Sequence, residues 1–163
     1  MDVAELTARC RARLAQLDLP RPFDLAAFAD RVGRDRGRPL LRIGHALPVG
    51  GPRGLCLSTR DADYIIYEQA TSPVHQEHIV LHEICHLLCG HTGRESMGDG
   101  HARLLFPSLD PAVVGRVLGR SSYTTDEEQE AELLASMIRR AAHDDHPPAP
   151  AVAADLRRLE SGL

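Results

Sequence analysis

His82-Glu83-Ile84-Cys85-His86, inside the apolar run that extends from Ile79-Val80-Leu81 to Leu87-Leu88-Cys89-Gly90, marks the centre of this chain. Upstream, Ser72-Pro73 has the form of a helix start, a capping hydroxyl followed by a proline in the first turn. With Gly90 as a stop, the spacing predicts one long helix from about 73 to 90. On that helix His82 and His86 stand about 40° apart around the axis, so two imidazoles point the same way and can grip one cation. Glu83 lies about 100° round, near enough to reach a water beside that ion and too far round to ligate it. Two imidazoles holding an ion and a carboxylate serving as base is the arrangement of a zinc hydrolase.

Working outward, Val3, Leu6, Cys10, Leu14 and Leu17 recur at helical spacing, predicting a helix over 2–17 that Pro20 and Pro22 end. Asp24 caps a second helix, 25–34, with Leu25, Phe28, Ala29 and Val32 on one face. The period then changes. Leu40–Ile43, Gly54–Ser58 and Tyr64–Tyr67 are short β-prone runs separated by turn-like segments at 48–52 and 59–63. They predict a small three-stranded, mostly antiparallel sheet. Beyond Gly90, a Gly-rich irregular stretch precedes a short helix over about 110–118. Thr125 caps another helix, 126–142, and a helix over 152–159 follows the linker His146-Pro147-Pro148-Ala149-Pro150. The expected fold is α+β, with helices packed on the sheet and the His-Glu motif on a central helix. The chain reads as one domain over 1–163: N-terminal helices in 1–37, a core in 40–140 and a C-terminal helix in 149–163.

Composition narrows the function classes. Hydrophobic residues make up 43% and charged residues 26%, which suits a globular domain able to bury a core. A formal net charge of −4 argues against direct nucleic-acid binding. The start Met1-Asp2-Val3-Ala4-Glu5 is charged and unlike a signal peptide, and no segment approaches a membrane span. Cys10, Cys56, Cys85 and Cys89 are too few and too uneven for a secreted disulfide framework, which favours a reducing cytoplasm.

A hydrolytic zinc needs a third protein ligand and an open position for water. The best source is Glu127-Glu128-Gln129-Glu130-Ala131-Glu132-Leu133-Leu134-Ala135, where Glu128, Ala131, Glu132 and Ala135 share one helical face. Two small residues there let the helix approach another backbone closely. Glu128 is the candidate ligand, and Glu132, one turn on, is placed to hydrogen-bond the outer nitrogen of a ligand His and fix its tautomer. Alone, these acids would read as a solvated first turn favoured by the helix dipole.

Taken together, Tyr64-Ile65-Ile66-Tyr67, Ser72, Gln76, the run Ile79–His91 and the E-x-x-A-x-x-x-A segment Glu128–Ala135 resemble the ImmA/IrrE family of metallo-endopeptidases over about residues 40–140. That resemblance implies a zincin-like domain in which Zn²⁺ is bound by His82, His86 and Glu128, with Glu83 as general base and proton shuttle. It also implies a cytoplasmic protein whose protein substrate is a DNA-binding regulator such as a helix-turn-helix repressor, some relatives being the toxin half of a toxin–antitoxin pair. The chain departs from the family pattern in its long gap between His86 and Glu128. It also carries Glu132 where relatives tend to have Asn or Asp.

Other residues near the motif carry weaker signals. Cys85 and Cys89 flank the ligand face. One rigid helix cannot bring residues i, i+3, i+4 and i+7 to a single ion, so they read as small packing residues, with a thiol-based redox switch as the alternative. His75 and His78 extend the His82 face and read as partly exposed residues satisfied by neighbours, with a substrate-cleft role as the alternative, while His91 and His101 read as surface residues. Tyr123, His101 and Arg120 are candidate donors to the oxyanion of an acyl-transfer reaction. An extended substrate would lie along a strand between Gly54 and Tyr67. Gly50–Gly54 precedes no helix and reads as a turn rather than a phosphate loop. The rival functional class is a non-proteolytic regulatory protein that inhibits a partner transcription factor, with zinc structural or absent.

Overall fold

In the computed structural model the described residues are 2–47, 50–58, 61–91 and 123–144. Four helices and three strands follow in the order α1 (Val3–Leu14), α2 (Leu25–Asp35), β1 (Leu40–His45), β2 (Gly54–Ser58), β3 (Asp63–Glu68), α3 (Pro73–Cys89) and α4 (Thr125–Asp144). The fold is α+β, as the change of period after Gly37 predicts. The expected helices at 110–118 and 152–159 lie outside the described residues.

Local chemistry sets the helix ends. Asp2 accepts from the Ala4 amide at 3.3 Å, Asp24 from Ala27 at 2.7 Å and Ser72 from His75 at 3.3 Å, each quenching an amide that the first turn leaves unpaired. Gly90 closes α3 in the left-handed conformation at φ 69°, where a side chain is strained. Helix α4 is capped one residue earlier than expected, by Thr124. Its hydroxyl accepts from the Glu127 amide at 3.3 Å, and the Glu127 carboxylate accepts from the Thr124 amide at 2.7 Å. This reciprocal capping box, with Glu three residues on, selects Thr124 over Thr125.

The sheet differs from the expectation. Its order is β1-β3-β2, and β1 runs parallel to β3, from Leu40 opposite Asp63 to His45 opposite Glu68. Only β2 is antiparallel to β3, with Gly54 opposite Tyr67 and Ser58 opposite Asp63. The sheet is therefore mixed rather than mostly antiparallel. The cause is the path from β1 to β2, which passes β3 and returns on its far side. The Glu68 carboxylate ties that path down by accepting from the Leu47 amide at 2.9 Å and the Ala70 amide at 2.7 Å. At the other end of β3 the fully buried Asp63 is held by Arg36 at 2.6 Å and Arg38 at 3.2 Å, anchoring the end of α2 to the sheet.

Helix α3 is the centre of the packing, set against β2 and β3 and against α4, while α1 covers α4. Val80, Ile84 and Cys85 of α3 meet Ile65 and Cys56 of the sheet and Ala131, Leu134, Ala135 and Ile138 of α4 in one core. Ala131 and Ala135 are fully buried, as small residues must be where two helix backbones come close. Among the described residues no helix is long and apolar enough to cross a membrane.

Candidate metal centre

On α3, His82 and His86 bring their Nε2 atoms to 3.0 Å of each other. Across from them, α4 presents Glu128, one carboxylate oxygen 3.2 Å from His82 Nε2 and the other 3.8 Å from His86 Nε2. Two imidazoles and a carboxylate thus converge on one point, a donor set that can hold a metal ion. His86 is wholly buried, whereas the Glu128 side chain is 48% exposed, so the group is open on one side. The long gap between His86 and Glu128 does not prevent the convergence.

The outer nitrogens explain why the inner ones face inward. Glu132 lies 3.2 Å from His82 Nδ1, so a neutral His82 donating to that carboxylate would turn its Nε2 lone pair toward the centre. The same carboxylate lies 3.4 Å from His78 Nε2, and His78 Nδ1 lies 3.3 Å from an Arg139 amine. On the other ligand, His86 Nδ1 lies 2.9 Å from His91 Nδ1, and His91 Nε2 lies 3.3 Å from Glu130. Glu130 is 2% exposed and is gripped by both oxygens from the Arg9 guanidinium, at 2.7 and 3.0 Å.

Glu83 stands beside the triad, 5% exposed, and its Oε2 has no hydrogen-bond partner among the described residues. Burial, reinforced by the Glu128 carboxylate, pushes the Glu83 carboxyl up to about 8. Burial likewise pulls His86 down to about 3, helped by His82 and His91, so its ring is held neutral, the form that ligates. Two ring nitrogens 3.0 Å apart beside a carboxylate, with a buried oxygen at their edge that has no partner among the described residues, fit a cation carrying water.

A cleft of about 310 Å³ opens over these groups, lined by Arg53, Gly54 and Leu55 of the β2 side, by His75, His78 and Glu83, and by Tyr123. Gly54 allows the strand this close. A Cβ there would lie 2.6 Å from Glu83 Oε1 and 2.6 Å from Ile79 Cγ2. Tyr123 stacks on the His86 ring with centroids 3.5 Å apart and planes at 10°. His101 and Arg120, the other two candidate oxyanion donors, lie outside the described residues.

One reading changes. His91, expected at the surface, has a side chain only 6% exposed and sets its Nδ1 2.9 Å from that of His86. Cys85 is buried in the core and the half-buried Cys89 packs against it, as small packing residues should; Cys89 also lies with His91 and Glu130 in a second group of donor atoms. Burial raises both thiols, Cys89 to about 12, which opposes the thiolate that a redox switch needs. Arg9, Glu130 and His91 had no individual sequence signal strong enough to join them. The nearest is Glu130 itself, a carboxylate four residues before Leu134 and eight before Ile138 on the buried stripe. Set against known proteins, the chain matches no family model, no curated protein and no solved structure.

Proposed function

We propose that the chain is a zinc-dependent metallo-endopeptidase of zincin-like design. His82, His86 and Glu128 would hold the zinc, which when bound would supply a Lewis acid able to lower the pKa of water toward ~7 and to polarise a peptide carbonyl. The observation that carries this reading is Glu83: a buried carboxyl with an unpaired oxygen, at the edge of a two-His, one-Glu cluster that opens on a cleft. Glu83 takes up the proton of the attacking water and returns it to the leaving amine, a task suited to a carboxyl whose pKa sits near neutrality. Tyr123, stacked on His86 at the cleft, is the described candidate for steadying charge on the carbonyl oxygen.

The cleft runs beside β2, the strand at one edge of the sheet. An extended peptide added to that edge would pair by main-chain hydrogen bonds and pass over the metal ligands. With the resemblance to ImmA/IrrE endopeptidases, this supports a protein substrate, a cytoplasmic helix-turn-helix repressor or similar regulator, and a place in a toxin–antitoxin pair.

The test is incubation of zinc-loaded protein with candidate helix-turn-helix regulators from the same genome, followed by mass spectrometry of fragments. Cleavage that stops with chelator and with Glu83→Gln is expected. Tight binding of the regulator without fragments, at full zinc content, would favour the non-proteolytic inhibitor instead.

A further inference from the structure

Glu130 is a carboxylate in an apolar core, lying between Cys10 of α1, whose thiol reaches the Glu130 carbonyl at 3.7 Å, and the Leu134–Ile138 stripe. A charge buried there is costly unless it is paired on every side. It is paired on two: Arg9 grips both oxygens, and His91 Nε2 lies at 3.3 Å. The carboxylate only accepts, so His91 must carry its proton on Nε2 and offer a lone pair at Nδ1. Facing that lone pair at 2.9 Å is His86 Nδ1, which must then be the donor. Donor and acceptor roles run one way along the chain, and its last link turns the Nε2 lone pair of His86 toward His82 and Glu128.

We propose that Arg9, Glu130 and His91 are positioning residues that lock His86 in its Nδ1–H tautomer and so present Nε2 as a metal ligand. The relay draws one residue from α1, one from α4 and one from the turn after α3, so the docking of α1 onto α4 sets the ring that ligates. It rests on the proposed metal centre for its purpose, but the tautomer it dictates is a property of the protein without metal. The same atoms do not form a second cation site. Arg9 already holds Glu130, Arg13 donates to the Leu88 carbonyl beside Cys89, and His91 spends both ring nitrogens on the relay.

The experiment is long-range proton–nitrogen NMR of the imidazoles in chelated protein, above the ordinary His pKa of about 6.5. It is paired with zinc affinity measured against a chromophoric chelator. In the unaltered protein His86 is expected as the Nδ1–H form. An Nε2–H signal overturns the relay without any variant. Arg9→Gln, at a half-exposed position that leaves the core intact, and Glu130→Gln are expected to mix the His86 tautomers and weaken zinc binding by roughly 10–100-fold. Unchanged tautomer and affinity in Arg9→Gln would refute the proposal, as would a second zinc equivalent that vanishes in Cys89→Ser. If zinc binding proves independent of Glu128, the third ligand of the proposed centre lies elsewhere, while the tautomer result still decides the relay.

Discussion

Gly54→Ala is a one-carbon change that would separate the roles of the proposed base, Glu83, and of the proposed metal ligands. The new Cβ would sit 2.6 Å from Glu83 Oε1, 2.6 Å from Ile79 Cγ2 and 2.9 Å from Glu83 Cγ, roughly 1 Å inside the ~3.5 Å at which carbon contacts become attractive. Ile79 is β-branched and 5% exposed, so its side chain is stiff and has little room to give. Glu83 is equally buried, which leaves the strand or the carboxylate to move by about that ångström. Overpacking of this kind costs about 1–3 kcal/mol, read as a lower midpoint in urea at unchanged slope. A base misplaced by ~1 Å loses on the order of 100-fold in turnover. The proposed ligands His82, His86 and Glu128 lie on α3 and α4, and the atoms nearest the new Cβ belong to Glu83 and Ile79 instead, so zinc affinity should hold. A variant as stable as the parent would show that β2 does not press on Glu83. One that loses zinc in proportion to activity would show that the strand supports the ligands rather than the base.

Glu128→Ala should abolish stoichiometric zinc in purified protein, whereas Glu132→Ala, which removes only the outer partner of His82, should weaken affinity by roughly 10–100-fold. Equal zinc content in parent and Glu128→Ala would move the third ligand elsewhere, Glu132 first. Leu134→Ala removes a fully buried side chain between α4 and α3 and should cost about 2–5 kcal/mol in urea unfolding, with less than 1 kcal/mol placing α4 outside the core. In chelated protein two groups set the pH profile in opposite senses. Glu83, raised from 4.5 to about 8, contributes stability that is full below 4.5 and is lost as pH climbs through 8; His86, lowered from 6.5 to about 3, contributes stability that is full above 6.5 and is lost as pH falls through 3. Unfolding free energy should therefore decline from about pH 6.5 to 8, and Glu83→Gln should flatten that decline; an unchanged slope in the variant refutes the assignment.

How far the sequence could be read depended on whether the deciding contact was local. The ends of α2 and α3 were legible because Asp24 and Ser72 act on amides three residues away. The start of α4 slipped by one because two threonines stand together and only the Glu127 carboxylate chooses between them. The direction of β1 was not legible. Leu55, Cys56 and Leu57 are buried in succession, so β2 shows no alternation that would mark one face, and the parallel pairing depends on a path around β3 that no turn motif announces. At the site, His82, Glu83 and His86 were legible from helical spacing and Glu128 with Glu132 from a shared face. Arg9 and Glu130, 121 positions apart, were not, since nothing but the packing of α1 on α4 joins them.

The polar groups of this core are satisfied in a pattern that distinguishes a binding centre from an internal network. Each outer atom has a partner: His82 Nδ1 has Glu132, His86 Nδ1 has His91, His91 Nε2 has Glu130, and Glu130 has Arg9. The inner atoms face one another. The two Nε2 atoms stand 3.0 Å apart beside the Glu128 carboxylate, and Glu83 Oε2 is buried with no hydrogen-bond partner among the described residues. A network built only for stability would be cheaper as apolar side chains of similar volume. One divalent cation held there would take both Nε2 atoms and the Glu128 charge, with the buried Glu83 carboxyl at its edge. On the proposed hydrolase reading, these residues would hold the Lewis acid and supply the base beside the cleft along β2.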